Sequence, residues 1–132
     1  MARNQSPIEK EDSLGNIVKV QQVIDFFVLS ELQKYGRRYQ GQLEESIIKN
    51  LSNVGVAKGY LTKRLQKLSS EGFVIREWED DDRYNRFYEI SETGIIYFKN
   101  MMRDLPERVR LAQKVYLQFE KYISQYDKLN IK

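Results

Sequence analysis

The sequence predicts a mainly α-helical fold with one small β-hairpin, followed by a long C-terminal helix. Three observations predict it. Apolar residues recur every three or four positions in three segments between Asn16 and Ser70. The pattern then changes to β-branched and aromatic residues in two short runs separated by a polar turn. An apolar seam at helical spacing returns between Val109 and Tyr126.

Residues Met1 to about Gly15 lack periodicity and read as a mobile arm. A first helix is expected from Asn16, with Val20, Ile24, Phe27, Val28 and Leu32 on its inner side and Gly36 at its end. A second fits Gln40 to about Leu51, burying Leu43, Ile47 and Ile48, and Ser52, Asn53 and Gly55 break it. The third runs from about Val56 to Ser70 with Leu61, Leu65 and Leu68 on one stripe, and Gly72 stands where a left-handed cap belongs. Strands follow over Phe73–Glu79 and Asn85–Ile90, joined by the polar loop Asp80–Tyr84. Ser91 then caps a further helix, and Pro106 is placed in the first turn of a last helix reaching about Lys128.

Three helices followed by a hairpin is the order of a winged helix-turn-helix, in which a helical trio buries one core and leaves the outer face of its third helix to enter a DNA groove. The chain thus divides into an arm over 1–15, a winged domain over 16–104 and a C-terminal dimerisation helix over 105–132.

Composition narrows the chemistry. The 132 residues contain neither cysteine nor histidine. Disulfides, thiolate or imidazole metal sites and the commonest general acid–base are therefore excluded, and no catalytic residue, metal ligand or cofactor is assigned. The longest apolar runs are a few residues long, far short of the ~20 a spanning helix needs, and no apolar signal core follows Met1. A cytoplasmic, nucleoid-associated protein is expected. A net charge of +3 suggests nucleic acid only weakly. Its distribution says more: Lys58, Lys63, Arg64 and Lys67 cluster in the third helix, and Glu77–Asp82 reverses the sign directly after it.

At 100° per residue the arc opposite the three leucines holds Gly59, Thr62, Lys63, Gln66 and Lys67, with Tyr60 on its flank and Lys58 leading in. These types donate to phosphates or read base edges, although a solvated lysine face is a common alternative. Arg37, Arg38 and Tyr39 stand before the second helix, where phosphate anchoring and an ordinary charged loop are both compatible readings. Arg83 and Arg86 flank the wing turn and can reach the backbone, whereas Glu79–Asp82 repels it.

The segment Val56–Val74 resembles the recognition helix of PadR-like transcriptional regulators, with Gly59, Leu61, Leu65, Leu68, Glu71 and Gly72 on the family's positions. Arg83, Arg86, Tyr88, Ile90, Ser91, Glu92 and Gly94 resemble its second wing strand and the helix start after it, and Tyr35-Gly36 and Tyr39-Gly41 its entry to the second helix. The likeness runs from about Ile17 to Lys128. At the wing tip Asp81-Asp82-Arg83-Tyr84-Asn85 replaces the usual glycine and proline. The resemblance implies a bacterial, homodimeric repressor that reads a palindromic operator in double-stranded DNA. Replication-terminator proteins share this architecture, so a replication or plasmid-maintenance role is the alternative.

The dimer seam is Val109, Ala112, Tyr116, Phe119, Ile123 and Tyr126, an unbroken three-and-four spacing that Val115, Tyr122 and Leu129 widen. Nine Tyr, six Phe and one Trp leave room for a small-molecule effector at a dimer interface, although packing is their commoner use. Two other classes compete. A metal-dependent nuclease would rest on Glu79, Asp80, Asp81 and Asp82, but consecutive acids on a turn diverge. A protein-binding adaptor would show salt-insensitive association with its partner.

Overall fold

The computed structural model describes residues 13–79 and 82–126. They form two compact units, one spanning Val20–Arg103 and the other made of 13–19 and 104–126. The expected arm falls almost wholly on residues 1–12, outside the described residues.

The first unit holds helices α1 (Val20–Tyr35), α2 (Gln40–Asn50) and α3 (Lys58–Ser70), and strands β1 (Arg38–Tyr39), β2 (Val74–Glu79) and β3 (Asp82–Ile90). Its core is the apolar stripe of each helix: Ile24, Val28, Leu29 and Leu32 from α1, Leu43 and Ile47 from α2, and Leu61, Leu65 and Leu68 from α3. Val74, Phe87 and Tyr88 close it from the sheet. Burying one such aliphatic side chain is worth ~1.5–3 kcal/mol, so these residues dominate the fold's stability. Val20, expected inside, is 57% exposed because it opens α1 ahead of the packed turns, and Leu29 takes an inner place instead.

The first helix starts later than the sequence predicts. Leu14–Asn16 form a single 3₁₀ turn. The Asn16 backbone N–H donates to the Ser13 carbonyl and its side-chain amide to Ser13 Oγ, each at 2.9 Å. Arg108 Nε then donates to the Ile17 carbonyl at 3.0 Å, occupying an acceptor that a continuing helix would use.

The helix ends explain the turns. After α3 the Phe73 N–H donates to the Leu68 carbonyl at 2.9 Å and the Gly72 N–H to the Ser69 carbonyl at 3.1 Å. This paired closure needs a left-handed residue, and Gly72 supplies it at φ +82°. After α2 the same task falls to Ser52 and Asn53, at φ 55° and 69°.

The sheet has three strands, not the two expected, in the antiparallel order β1-β3-β2. The short β1 pairs Arg38 with Tyr88 and Tyr39 with Phe87, so the chain between the first two helices is sheet rather than loop. Two residues show too little alternation for a sequence pattern to reveal them. The second wing strand also starts earlier than expected, because Glu79 pairs with Asp82 and residues 82–84 belong to β3, while Asp80 and Asp81 lie outside the described residues. The register shifts between Trp78 and Glu79: from the pair Trp78–Arg86 to the pair Glu79–Asp82, β2 advances one residue while β3 moves four.

A single helix, α4, runs from Glu92 to Ser124 with Pro106 inside it, where the sequence suggested two helices and an end near Lys128. Proline withholds the N–H that would bond the Met102 carbonyl. Met102 and Pro106 are both exposed, so water can take the orphaned acceptor. At the other end the Gly94 N–H donates to Ser91 Oγ at 3.0 Å, the cap that the sequence placed there. Among the described residues, no helix is long and apolar enough to cross a membrane.

Candidate nucleic-acid interface

The outer face of α3 follows from its inner one. With Leu61, Leu65 and Leu68 fully buried, Gly59, Lys63, Gln66 and Lys67 are left exposed on the opposite arc. Tyr60 and Thr62 are half-buried on its edge. Gln40, the first residue of α2, donates its side-chain amide to Thr62 Oγ1 at 2.8 Å and so ties the two helices where that face begins. Lys67 Nζ is 3.5 Å from Glu71 Oε2, an exposed i,i+4 pair worth a few tenths of a kcal/mol that a phosphate can displace. The side chains of Lys58 and Arg83 lie outside the described residues.

The two arginines between α1 and α2 differ. Arg37 is exposed, with its guanidinium 3.9 Å from the centre of the Phe87 ring and its Nε 3.7 Å from Glu89. Arg38 faces the fold: Nη2 donates to Glu31 Oε1 at 3.1 Å, and the guanidinium lies 4.3 Å from the centre of the Tyr35 ring. Arg38 Nε is buried without a hydrogen-bond partner among the described residues. Tyr39 precedes α2, its N–H donating to Gln42 Oε1 at 2.8 Å and its ring edge-on to Phe87. Arg86 is exposed on β3.

One group that the sequence did not single out meets α3 from the core side. Asp25 of α1 is 0% exposed. Arg64 grips its carboxylate with two bonds, Nε to Oδ1 at 2.9 Å and Nη2 to Oδ2 at 2.7 Å. The Tyr97 hydroxyl of α4 donates to Oδ2 at 2.8 Å. The hydrogen bond to Asp25 pushes the Arg64 guanidinium further above its ordinary range. Burial first, and the bond to Asp25 second, push the Tyr97 phenol well up from its own. A signal was present: Asp25 lies three, four and seven residues before Val28, Leu29 and Leu32, on the apolar stripe itself. Arg64, counted in the basic cluster, turns inward beside Leu65.

On α4 the seam predicted for dimerisation is largely exposed in the single chain. Tyr116 is 60% and Phe119 56% exposed, with Val109, Ile123 and Tyr126 also exposed and Ala112 half-buried. Tyr126 lies just past the helix end and stacks edge-on with Tyr122.

No family model matches the sequence, and no curated protein matches it. Among solved structures, a transcriptional regulator from Clostridium thermocellum is similar at 22% identity and a TM-score of 0.60, over 76% of this chain and 92% of its own. A protein from Thermoplasma acidophilum, assigned as a transcriptional regulator, aligns at 20% identity and a TM-score of 0.61, over 77% and 94%. A PadR family transcription regulator from Clostridium difficile aligns at 18% identity and a TM-score of 0.52, over 73% and 96%. Likeness at these identities speaks to architecture: this chain has the winged helix-turn-helix fold of those regulators.

Proposed function

We propose that this protein is a homodimeric, sequence-specific double-stranded DNA-binding transcriptional regulator, a repressor of the PadR-like kind acting on a palindromic operator. The observation that carries the reading is the outer face of α3, where Gly59, Lys63, Gln66 and Lys67 stand exposed opposite three buried leucines. A wing of β2 and β3 follows directly. Lysine and glutamine there read base edges, with Tyr60 and Thr62 at the margin. Arg37, Arg83 and Arg86 contact phosphates, and Arg38 and Tyr39 shape the strand and helix start that present Arg37. The solved structures that share the fold and are described as transcriptional regulators support the same reading.

Dimerisation uses the α4 seam of Val109, Ala112, Tyr116, Phe119, Ile123 and Tyr126, whose aromatic and aliphatic side chains, all but Ala112 exposed in the single chain, favour burial against a second copy. A two-fold dimer sets two recognition helices ~34–36 Å apart on successive major-groove faces, which is why a palindrome is the expected target. In this scheme the protein works by binding DNA in the cytoplasm and carries out no reaction of its own.

Titration with a duplex at several salt concentrations tests the reading. The logarithm of the binding constant should fall with the logarithm of salt by ~0.9 for each phosphate neutralised. A slope near zero contradicts DNA binding. Lys63→Ala should weaken specific binding by ~1–3 kcal/mol if Lys63 reads a base, and full affinity would remove it from the interface.

A further inference from the structure

We infer that Asp25 is a positioning residue for sequence readout: acting through Arg64, it fixes the rotation of α3, and Tyr97 holds the carboxylate in place. This deepens the regulator proposal and rests on it.

Leu61, Leu65 and Leu68 attach α3 to the core through apolar contacts, which have no preferred direction and tolerate small rotations. The Arg64 fork is different. Two bonds of 2.9 and 2.7 Å from one guanidinium to the two oxygens of one carboxylate fix both the turn of α3 about its axis and its height along it. Asp25 cannot yield in turn, because it is fully buried on α1 and its Oδ2 also accepts from Tyr97 at 2.8 Å.

The geometric consequence is large for groups on the far side of the helix. A side-chain tip lies about 5 Å from the helix axis, so a rotation of about 20° carries it ~2 Å. A displacement of that size takes Lys63 or Gln66 out of hydrogen-bond range of a base edge and still leaves Lys63 and Lys67 near phosphates. Stability alone does not call for this arrangement. Desolvating two charges roughly cancels their attraction, and apolar residues of similar volume would pack as well. Register is what the directional bonds add. The Tyr97 ring, stacked on Phe73 with centroids 4.6 Å apart, keeps its own place without the hydroxyl, which allows the bond to be removed cleanly.

The test compares a duplex that the wild-type protein enriches from a random pool with a scrambled duplex. Tyr97→Phe removes one donor to Asp25, and Arg64→Lys keeps the charge but loses the fork. Each variant should lower the ratio of specific to non-specific affinity, about tenfold for Arg64→Lys and several-fold for Tyr97→Phe. The non-specific affinity and its salt slope should stay as in the wild type. If Arg64→Lys does not fold, Tyr97→Phe alone decides. An unchanged ratio in the folded variant, whatever its melting temperature, overturns the positioning role and leaves the regulator reading standing. So does an equal loss on both duplexes, which marks a purely structural role. A wild-type protein that enriches no sequence overturns the regulator reading and this inference with it.

Discussion

Asp25 shows how a residue can matter without being legible. Its carboxylate is satisfied by Arg64 and Tyr97, 39 and 72 residues away in the chain. No local spacing encodes such a meeting. The apolar stripe around Asp25 was visible, but an aspartate on a helix ordinarily faces water and reads that way. Lys63, Gln66 and Lys67 were legible for the opposite reason, since their exposure follows from the period of the leucines behind them. The buried cluster also has a pH signature. Burial and the bond to Asp25 raise the Tyr97 phenol above its ordinary value of ~10. Its contribution to stability is complete below that ordinary value and is lost as pH rises through the value it has in the folded state. An absorbance titration of phenolate should therefore show a tyrosine that ionises only as the protein unfolds in alkali, and Tyr97→Phe should make that late step smaller by one tyrosine. The same late amplitude in Tyr97→Phe and in the wild type would contradict this reading of the cluster.

Elements were legible where one chain segment carried its own pattern. The three helices, the two long strands, the Ser91 cap and the left-handed Gly72 all follow from spacing and residue type. The short β1 did not, because its two residues become a strand only by pairing with β3. Pro106 misled in the other direction: proline favours a helix start, yet here it lies inside α4. The two arrangements make opposite predictions. Inside a helix, proline is ~3 kcal/mol worse than alanine, so Pro106→Ala should raise stability, by up to about that amount. At the first position of a separate helix it should give no gain. Urea unfolding of the two proteins distinguishes them, and an unchanged or lower midpoint in the variant would argue for a broken helix. Gly94 gives a second element-scale test. A Cβ there would meet the Phe73 carbonyl and the Ile90 side chain, where α4 leaves the sheet. Gly94→Ala should cost ~1–3 kcal/mol through this overpacking, and a neutral result would mean the junction is looser than described.

At the scale of the whole molecule, the seam on α4 and the face of α3 are two halves of one proposal, since a palindrome is read only by a pair. Phe119 is more than half exposed in the middle of the seam, and a carboxylate there has no place in a buried interface. Phe119→Glu should yield monomers in sedimentation, keep the α-helical spectrum and bind an operator duplex more weakly. A variant that remains dimeric, or a wild-type protein that sediments as a monomer, would remove the seam from the interface. The architecture was readable from helix–helix–helix–hairpin order. The target sequence was not, because it depends on where side-chain tips meet bases rather than on which residues are exposed. The most direct test is therefore selection of bound duplexes from a random pool by the full-length wild-type protein at physiological salt. The expected result is enrichment of a palindrome with half-sites one helical turn, ~10 base pairs, apart. Recovery of the unselected pool, with no motif enriched, would contradict it.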